Sequence, residues 1–212
     1  GPWPPSPWCD PDERYSPEYL RKMLDERLQC LDTDCIDLLQ LHTWTRAWND
    51  NPTPFQALRD LRDDGKIRYL GISTPEHDQN AVNQLMVDGW VDTVQVIYNI
   101  FEQEPAAELL PLAQKHNVGI IVRVAYDEGS LTGKFTEQTT FEKGDFRNNF
   151  FAGDRLARTV QRVEKLREEV EGSGYTMPQA ALKFVLHHPA VSTIIAGTRT
   201  VEQATLNAQT SD

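Results

Sequence analysis

Cysteine is scarce in this chain of 212 residues: Cys9, Cys30 and Cys35 form an odd set with no CxxC spacing. That argues against a disulfide-built scaffold and fits free thiols in a reducing compartment. No cluster of metal-ligand residues stands out, so no metal site is expected. Long apolar runs are missing too; none approaches the roughly 20 residues that span a bilayer. The N-terminus has no basic region followed by an apolar one. The expected location is cytoplasmic, with no membrane partner. Positive charge is in deficit: 21 Lys and Arg against 32 Asp and Glu leave a formal charge of −11. A nucleic-acid partner needs a basic face and is therefore not expected. A small anion remains compatible, because a few local basic groups or helix N-termini can hold one. No GxGxxG follows the first apolar run, which weakens the case for a dinucleotide-binding open sheet.

What is present is the composition of an ordinary globular chain, 39% hydrophobic and 25% charged, long enough for one substantial core. Residues 1–15 carry five prolines with Trp3 and Trp8 and read as an extended loop. Residues 16–212 read as one domain of alternating helices and strands. Ser16 caps a helix with the stripe Leu20, Met23, Leu24, Leu28 and Leu31, and strand 35–42 follows. A helix opens at Thr53-Pro54 and stops at Gly65, before strand Ile67–Ile72. A helix over 76–88 precedes strand Thr93–Tyr98, and a helix over 105–116, bent at Pro111, precedes strand Gly119–Ala125. A loop from Asp127 to about Gly153 has the length of a lid or a mobile segment. Helices over 154–171 and from Thr176-Met-Pro178 lead to strand Val191–Ala196, and Thr200-Val-Glu-Gln203 opens a last helix with a capping box.

The apolar runs share one trait: each ends in polar groups. The first closes on His42; the others close on Gly71-Ile-Ser-Thr74, Gln95-Val-Ile-Tyr-Asn99, Arg123-Val-Ala-Tyr-Asp127 and Ala196-Gly-Thr-Arg199. Polar residues at the C-terminal ends of buried parallel strands line the active sites of β/α enzymes. Alternation implies a parallel sheet covered by helices. Periodicity alone leaves an open doubly wound sheet and a barrel both standing, since about five strands fall short of eight.

The segments Leu31-Asp-Thr-Asp-Cys-Ile-Asp-Leu-Leu-Gln-Leu-His42, Gly65-Lys-Ile-Arg-Tyr-Leu-Gly-Ile-Ser73, Val94-Gln-Val-Ile-Tyr-Asn99, Leu131-Thr-Gly-Lys134 and Val201-Glu-Gln with Asn207 resemble the aldo-keto reductase superfamily, most of all its bacterial and channel-β-subunit-like branch. The likeness runs over nearly all of 16–208. It implies a (β/α)8 TIM barrel, incomplete in this chain with about five of its eight parallel strands. It also implies NADPH-dependent reduction of an aldehyde or ketone, with NADP(H) as cofactor and a small carbonyl compound as substrate. The family's catalytic Asp, Tyr and Lys belong to a region that would precede Ser16, so the polypeptide by itself is expected to be inactive. Unpaired sheet edges make self-association an expectation. The alternative is a non-catalytic cofactor-binding or assembly fragment.

The resemblance assigns roles residue by residue. His42 becomes the catalytic histidine that hydrogen-bonds the substrate carbonyl. Ser73, Thr74 and Gln95 face the nicotinamide carboxamide, which needs both a donor and an acceptor. Arg123 occupies the stacking position beneath the nicotinamide, and a guanidinium is planar enough to stack. Gly129, Leu131, Gly133 and Lys134 form the pyrophosphate loop, in which glycines permit close backbone approach. Gly197, Thr198, Arg199, Gln203 and Asn207 match the contacts to the adenosine 2′-phosphate and adenine. Arg147 and Arg155 are further candidates to clasp the cofactor. Trp44, Trp48 and Tyr126 are candidates for the substrate-pocket wall.

Overall fold

A computed structural model describes residues 8–211. Contacts divide them into two compact units, one running to Val96 and including Pro105–Ile121, the other made of Ile97–Glu104 and the chain from Val122. Five strands, Ile36–Leu41 (β1), Ile67–Ser73 (β2), Thr93–Ile97 (β3), Gly119–Arg123 (β4) and Val191–Ile194 (β5), form one sheet in the order β1-β2-β3-β4-β5. Chain order and sheet order coincide, as expected when each strand is followed by a crossover to its neighbour.

In the first unit the strand alternation sorts the side chains cleanly. Leu41, Ile72 and Val94 lie side by side in parallel register and are buried. The opposite face aligns Gln40, Gly71 and Thr93. Helices Pro17–Leu31 (α2) and Thr53–Asp63 (α3) pack on each other, and α3 packs on β2. Phe55 and Leu58 of α3 are wholly buried, each worth about 2 kcal/mol of transfer free energy. Gly65, at φ 77°, ends the α3 turn and returns the chain to β2.

Three expectations fail in this unit. The extended loop expected over 1–15 lies partly outside the described residues. Within them, Pro11–Tyr15 is helical (α1). Proline is harmless at a helix's first position, and Asp10 and Glu13 close a capping box around it. The helix expected over 76–88 is reduced to a 3-10 turn at Gln79–Val82 and a short helix at Asn83–Val87 (α4). The Arg46 guanidinium grips Asp78 through two hydrogen bonds of 2.6 Å, and Asp78 holds an extended φ of −154° that a helix does not accept. Likewise the helix expected over 105–116 begins at Leu109 (α5, Leu109–His116), after a 3-10 turn at Glu104–Ala106, so Pro111 sits in its first turn and bends nothing.

The second unit is built around helices Arg155–Val170 (α7) and Met177–Leu186 (α8), which pack on each other. Leu131, Val163, Met177 and Ala181 form its buried cluster. The segment from Asp127 to Gly153, expected as one loop, contains short helical turns. It holds a 3-10 stretch at Asp127–Thr132, a helical turn at Arg147–Phe150 (α6), and a nest of Phe135, Phe141, Phe150 and Phe151 with ring centroids 4.8–5.7 Å apart. A final helix, Val201–Gln209 (α9), packs on α8.

Candidate functional site

In the first unit, His42 directly follows β1 and is exposed. The next residue, Thr43, is tied down: its N–H donates to the Tyr15 hydroxyl at 3.2 Å. Ser73 ends β2 and pairs in register with Gln95 of β3. Both are thus delivered to the C-terminal edge of neighbouring parallel strands. Thr74 differs from its expected role. Only 2% exposed, its hydroxyl donates to Gln79 Oε1 at 3.1 Å and its N–H to the Gln95 carbonyl at 2.9 Å. Its hydroxyl is thus engaged by Gln79 within the fold.

Trp44 and Trp48 are likewise not pocket walls. They are 3% and 1% exposed, pack edge to face at 5.2 Å, and are flanked by Phe55 and Tyr15. Their indole N–H groups donate to Asn49 Oδ1 at 2.8 Å and to the Cys9 carbonyl at 2.6 Å. An indole buried with its one donor satisfied is core structure.

The second unit contains a cavity of about 850 Å³, in the range of ligand-binding clefts. The turn after β4 contributes Tyr126, Gly129 and Lys134; the segment after β5 contributes Gly197, Thr198 and Arg199; and α9 contributes Gln203 and Asn207. Residues assigned from three separate stretches of sequence therefore meet in one hollow. Leu131 and Gly133 do not join its wall. Leu131 is fully buried in the hydrophobic cluster, and Gly133, at φ 71°, gives its carbonyl to Arg167 Nη2 at 2.9 Å. Arg123 also lies outside the lining, one residue before Val124, which is part of it. Arg147 lines the hollow, whereas Arg155 stacks over Phe150 at 3.7 Å.

Several of these groups are already oriented. The Tyr126 hydroxyl donates to Asn207 Oδ1 at 2.7 Å, and burial pushes the phenol pKa up. Asn207 Nδ2 is buried without a hydrogen-bond partner. Such a donor costs stability unless an acceptor reaches it. Thr200 caps α9 by accepting the Gln203 N–H, but the Gln203 side chain accepts the Arg199 N–H at 2.8 Å instead of closing the expected box. Arg147 is bound to Asp145, and its hydrogen bonds hold the Asp145 carboxyl down to about 2. The sequence reading missed Thr176, Pro178 and Gln179, which also line the cavity. The signal was available, since Thr176 and Gln179 form the capping box that starts α8 beside it.

The Aldo/keto reductase family model matches residues 8–212. The chain belongs to the aldo/keto reductase family. Its fold class is accordingly α/β, the (β/α)8 barrel, of which the described residues hold five parallel strands. Similar proteins include the aldo-keto reductase yakc [NADP(+)] of Schizosaccharomyces pombe, 28% identical over 195 residues, with 88% of this chain and 55% of that protein covered. The NADH-specific methylglyoxal reductase of Escherichia coli is 28% identical over 211 residues, covering 93% of this chain and 62% of its own length. Among solved structures, the holo form of aldo-keto reductase AKR11C1 from Bacillus halodurans is 26% identical with a TM-score of 0.72, covering 92% of this chain and 60% of that one. The chain thus spans roughly three fifths or less of the lengths of these relatives. Two of these relatives carry a nicotinamide nucleotide in their names, NADP(+) in one and NADH in the other. None of the described helices is long and apolar enough to cross a membrane.

Proposed function

We propose that this chain holds the cofactor of an NADPH-dependent carbonyl reductase that converts an aldehyde or ketone into an alcohol. The observation that carries the reading is the single cavity that unites the Gly129–Lys134 turn with Gly197–Arg199 and α9. Its chemistry suits a dinucleotide phosphate. Gly197 has no heavy atom within 4 Å of where a Cβ would stand, which leaves room for a phosphate to approach the backbone. Arg199 and the start of α9 offer charge and amide donors. The unpaired Asn207 Nδ2 is a donor suited to a ring nitrogen of adenine.

Bound, a reduced nicotinamide supplies a hydride. Within the first unit, the family likeness gives His42 the role of hydrogen-bonding a substrate carbonyl oxygen, and Ser73 and Gln95 that of carboxamide partners. Arg123 provides a planar cation that favours the neutral, reduced ring over the cationic oxidised one. Proton donation is assigned to none of the residues named above. Assayed alone, the polypeptide is therefore expected to bind NADPH weakly and to show no carbonyl-dependent oxidation of it.

One similar protein is named for NADP(+) and another as NADH-specific, so the preference turns on local charge. Glu128 and Glu202 line the cavity along with Lys134, Arg147 and Arg199. Arg199 is the cation beside α9, and the 2′-phosphate is assigned to it. Calorimetric titration of the polypeptide with NADPH and with NADH tests this. Arg199→Ala is expected to weaken NADPH about tenfold, the scale of one charge-assisted hydrogen bond, and to leave NADH unchanged. Absence of saturable binding of either nucleotide overturns the reading.

A further inference from the structure

Val124 closes β4 in a conformation that its side chain opposes. Its φ is 56°, in the left-handed region, where a β-branched residue is an outlier. It lines the cavity, Arg123 precedes it, and the cavity-lining pair Ala125 and Tyr126 follows. Strain at such a place persists only if its surroundings enforce it.

The side chain that reaches this residue is that of Asn99. Fully buried, it donates from Nδ2 to the Val124 carbonyl at 2.9 Å. Its Oδ1 accepts the N–H groups of Phe101 at 2.8 Å and Glu102 at 2.9 Å, and its own N–H donates to the Glu102 carbonyl at 3.0 Å. The carboxamide is therefore anchored on its acceptor side by one turn and acts on another segment through its donor side. The same Val124 carbonyl also accepts the Asp127 N–H at 3.0 Å, which fixes where the next turn begins. Aspartate lacks the donor, and glutamine is one methylene too long for the same turn.

We infer that Asn99 is a positioning residue for the nucleotide: it holds Val124 left-handed and so sets the direction in which the end of β4 carries Arg123 and Tyr126. This rests on the nucleotide reading of the cavity. A backbone that must find this conformation for itself would bind with an affinity reduced by the fraction of molecules that have found it.

Asn99→Asp keeps the acceptor for Phe101 and Glu102 and removes the donor to Val124. Val124→Gly removes the strain and makes the left-handed turn intrinsic. Titration of the full chain with NADPH is expected to show affinity reduced about tenfold in Asn99→Asp, the scale of one hydrogen bond. Val124→Gly serves as the reference, and Asn99→Asp placed in the Val124→Gly background should lose about twofold or less relative to Val124→Gly alone. A role confined to the 99–102 turn predicts the same loss in both backgrounds, and that result, or unchanged affinity in Asn99→Asp, overturns the inference. If Asn99→Asp fails to fold alone but folds with Val124→Gly, the rescue supports it; failure in both backgrounds overturns it. A parent chain that binds no NADPH removes the nucleotide reading, and this inference with it. A parent that binds, together with an indifferent Asn99→Asp, removes only the inference.

Discussion

The Tyr15 hydroxyl stands between the N–H of Thr43, which donates to it at 3.2 Å, and the Thr43 carbonyl, which accepts from it at 3.4 Å. Twenty-eight residues separate the partners, and the bond is made one residue beyond His42. Tyr15 is 5% exposed, and its ring packs edge to face on Trp48. The phenol thus fastens the backbone next to the proposed carbonyl-orienting histidine to the aromatic core. Tyr15→Phe keeps the packing and leaves the Thr43 backbone groups without this partner. It is expected to lower unfolding free energy by about 1 kcal/mol, measured by urea denaturation. A larger spread of amide exchange rates at 42–44 than elsewhere in the unit should accompany it. No change in exchange there contradicts the fastening role.

Gly71 makes a second prediction, at the level of strand packing. A Cβ at this position would overlap Thr93 Oγ1 and lie 2.9 Å from Gln40 Cγ and 3.2 Å from the Thr93 carbonyl oxygen. The flexible Gln40 side chain can move, but the Thr93 backbone is fixed by pairing with Gly71 itself. Gly71→Ala is therefore expected to cost about 1–3 kcal/mol, the range for overpacking a core. A variant with an unchanged melting temperature refutes this account of why β1, β2 and β3 accept only glycine there.

The two outcomes differ in how visible they were in the sequence. The five strands showed because buried parallel strands are continuous apolar runs, and their polar termini marked where a site would lie. The places of His42, Ser73 and Gln95 at or just after strand ends were legible for that reason. Trp44 and Trp48 were misread because an aromatic in a loop after a strand looks the same whether it walls a pocket or plugs a core. Only the positions of Tyr15 and Phe55 in the folded chain decide between the two. Thr74 was assigned by likeness alone, and its burial against Gln79, five residues on, shows only in the structure. Asn99 and Val124 were opaque for a different reason. A positive φ at valine contradicts local propensity, and nothing in a sequence announces that a side chain 25 residues away compensates for it. The α1 helix, by contrast, was signalled by Asp10 and Glu13 and hidden only by the density of prolines around them.

Tyr126 and Asn207 supply a third prediction. Their 2.7 Å hydrogen bond joins the turn after β4 to α9 across 81 residues of sequence, within one cavity wall. It fixes the carboxamide of Asn207 and thereby the direction of its unpaired Nδ2 donor. Tyr126→Phe should leave the ring in place and release the carboxamide to rotate. NADPH affinity is expected to fall by roughly threefold to tenfold, below one full hydrogen bond because Asn207 itself remains. Asn207→Leu should fall further, and the double variant should be no worse than Asn207→Leu alone. Additive losses, read by the same titration, would show that the tyrosine acts independently of Asn207.

The last prediction concerns pH. His188 lies past the end of α8, where its Nδ1 accepts the Ala190 N–H at 3.2 Å and its ring meets Tyr98 edge on at 5.7 Å. Burial lowers its pKa below the ordinary 6.5, and burial also raises that of Tyr98. Both shifts favour the neutral forms. For the histidine the sign is direct: the unfolded chain takes up a proton more readily than the folded one. The stability tied to the neutral imidazole is therefore fully present above about pH 6.5 and is lost as pH falls through the lower folded-state pKa. Protonation would also remove the Nδ1 lone pair that accepts from Ala190, so the turn into β5 should loosen first. His188→Asn retains a side-chain acceptor for that N–H and cannot titrate in this range. The difference in melting temperature between the parent chain and His188→Asn, followed from pH 8 to pH 5, is expected to shift in favour of the variant as pH drops below 6.5. A constant difference across that window would show that the imidazole stays neutral or that its charge is accommodated without cost.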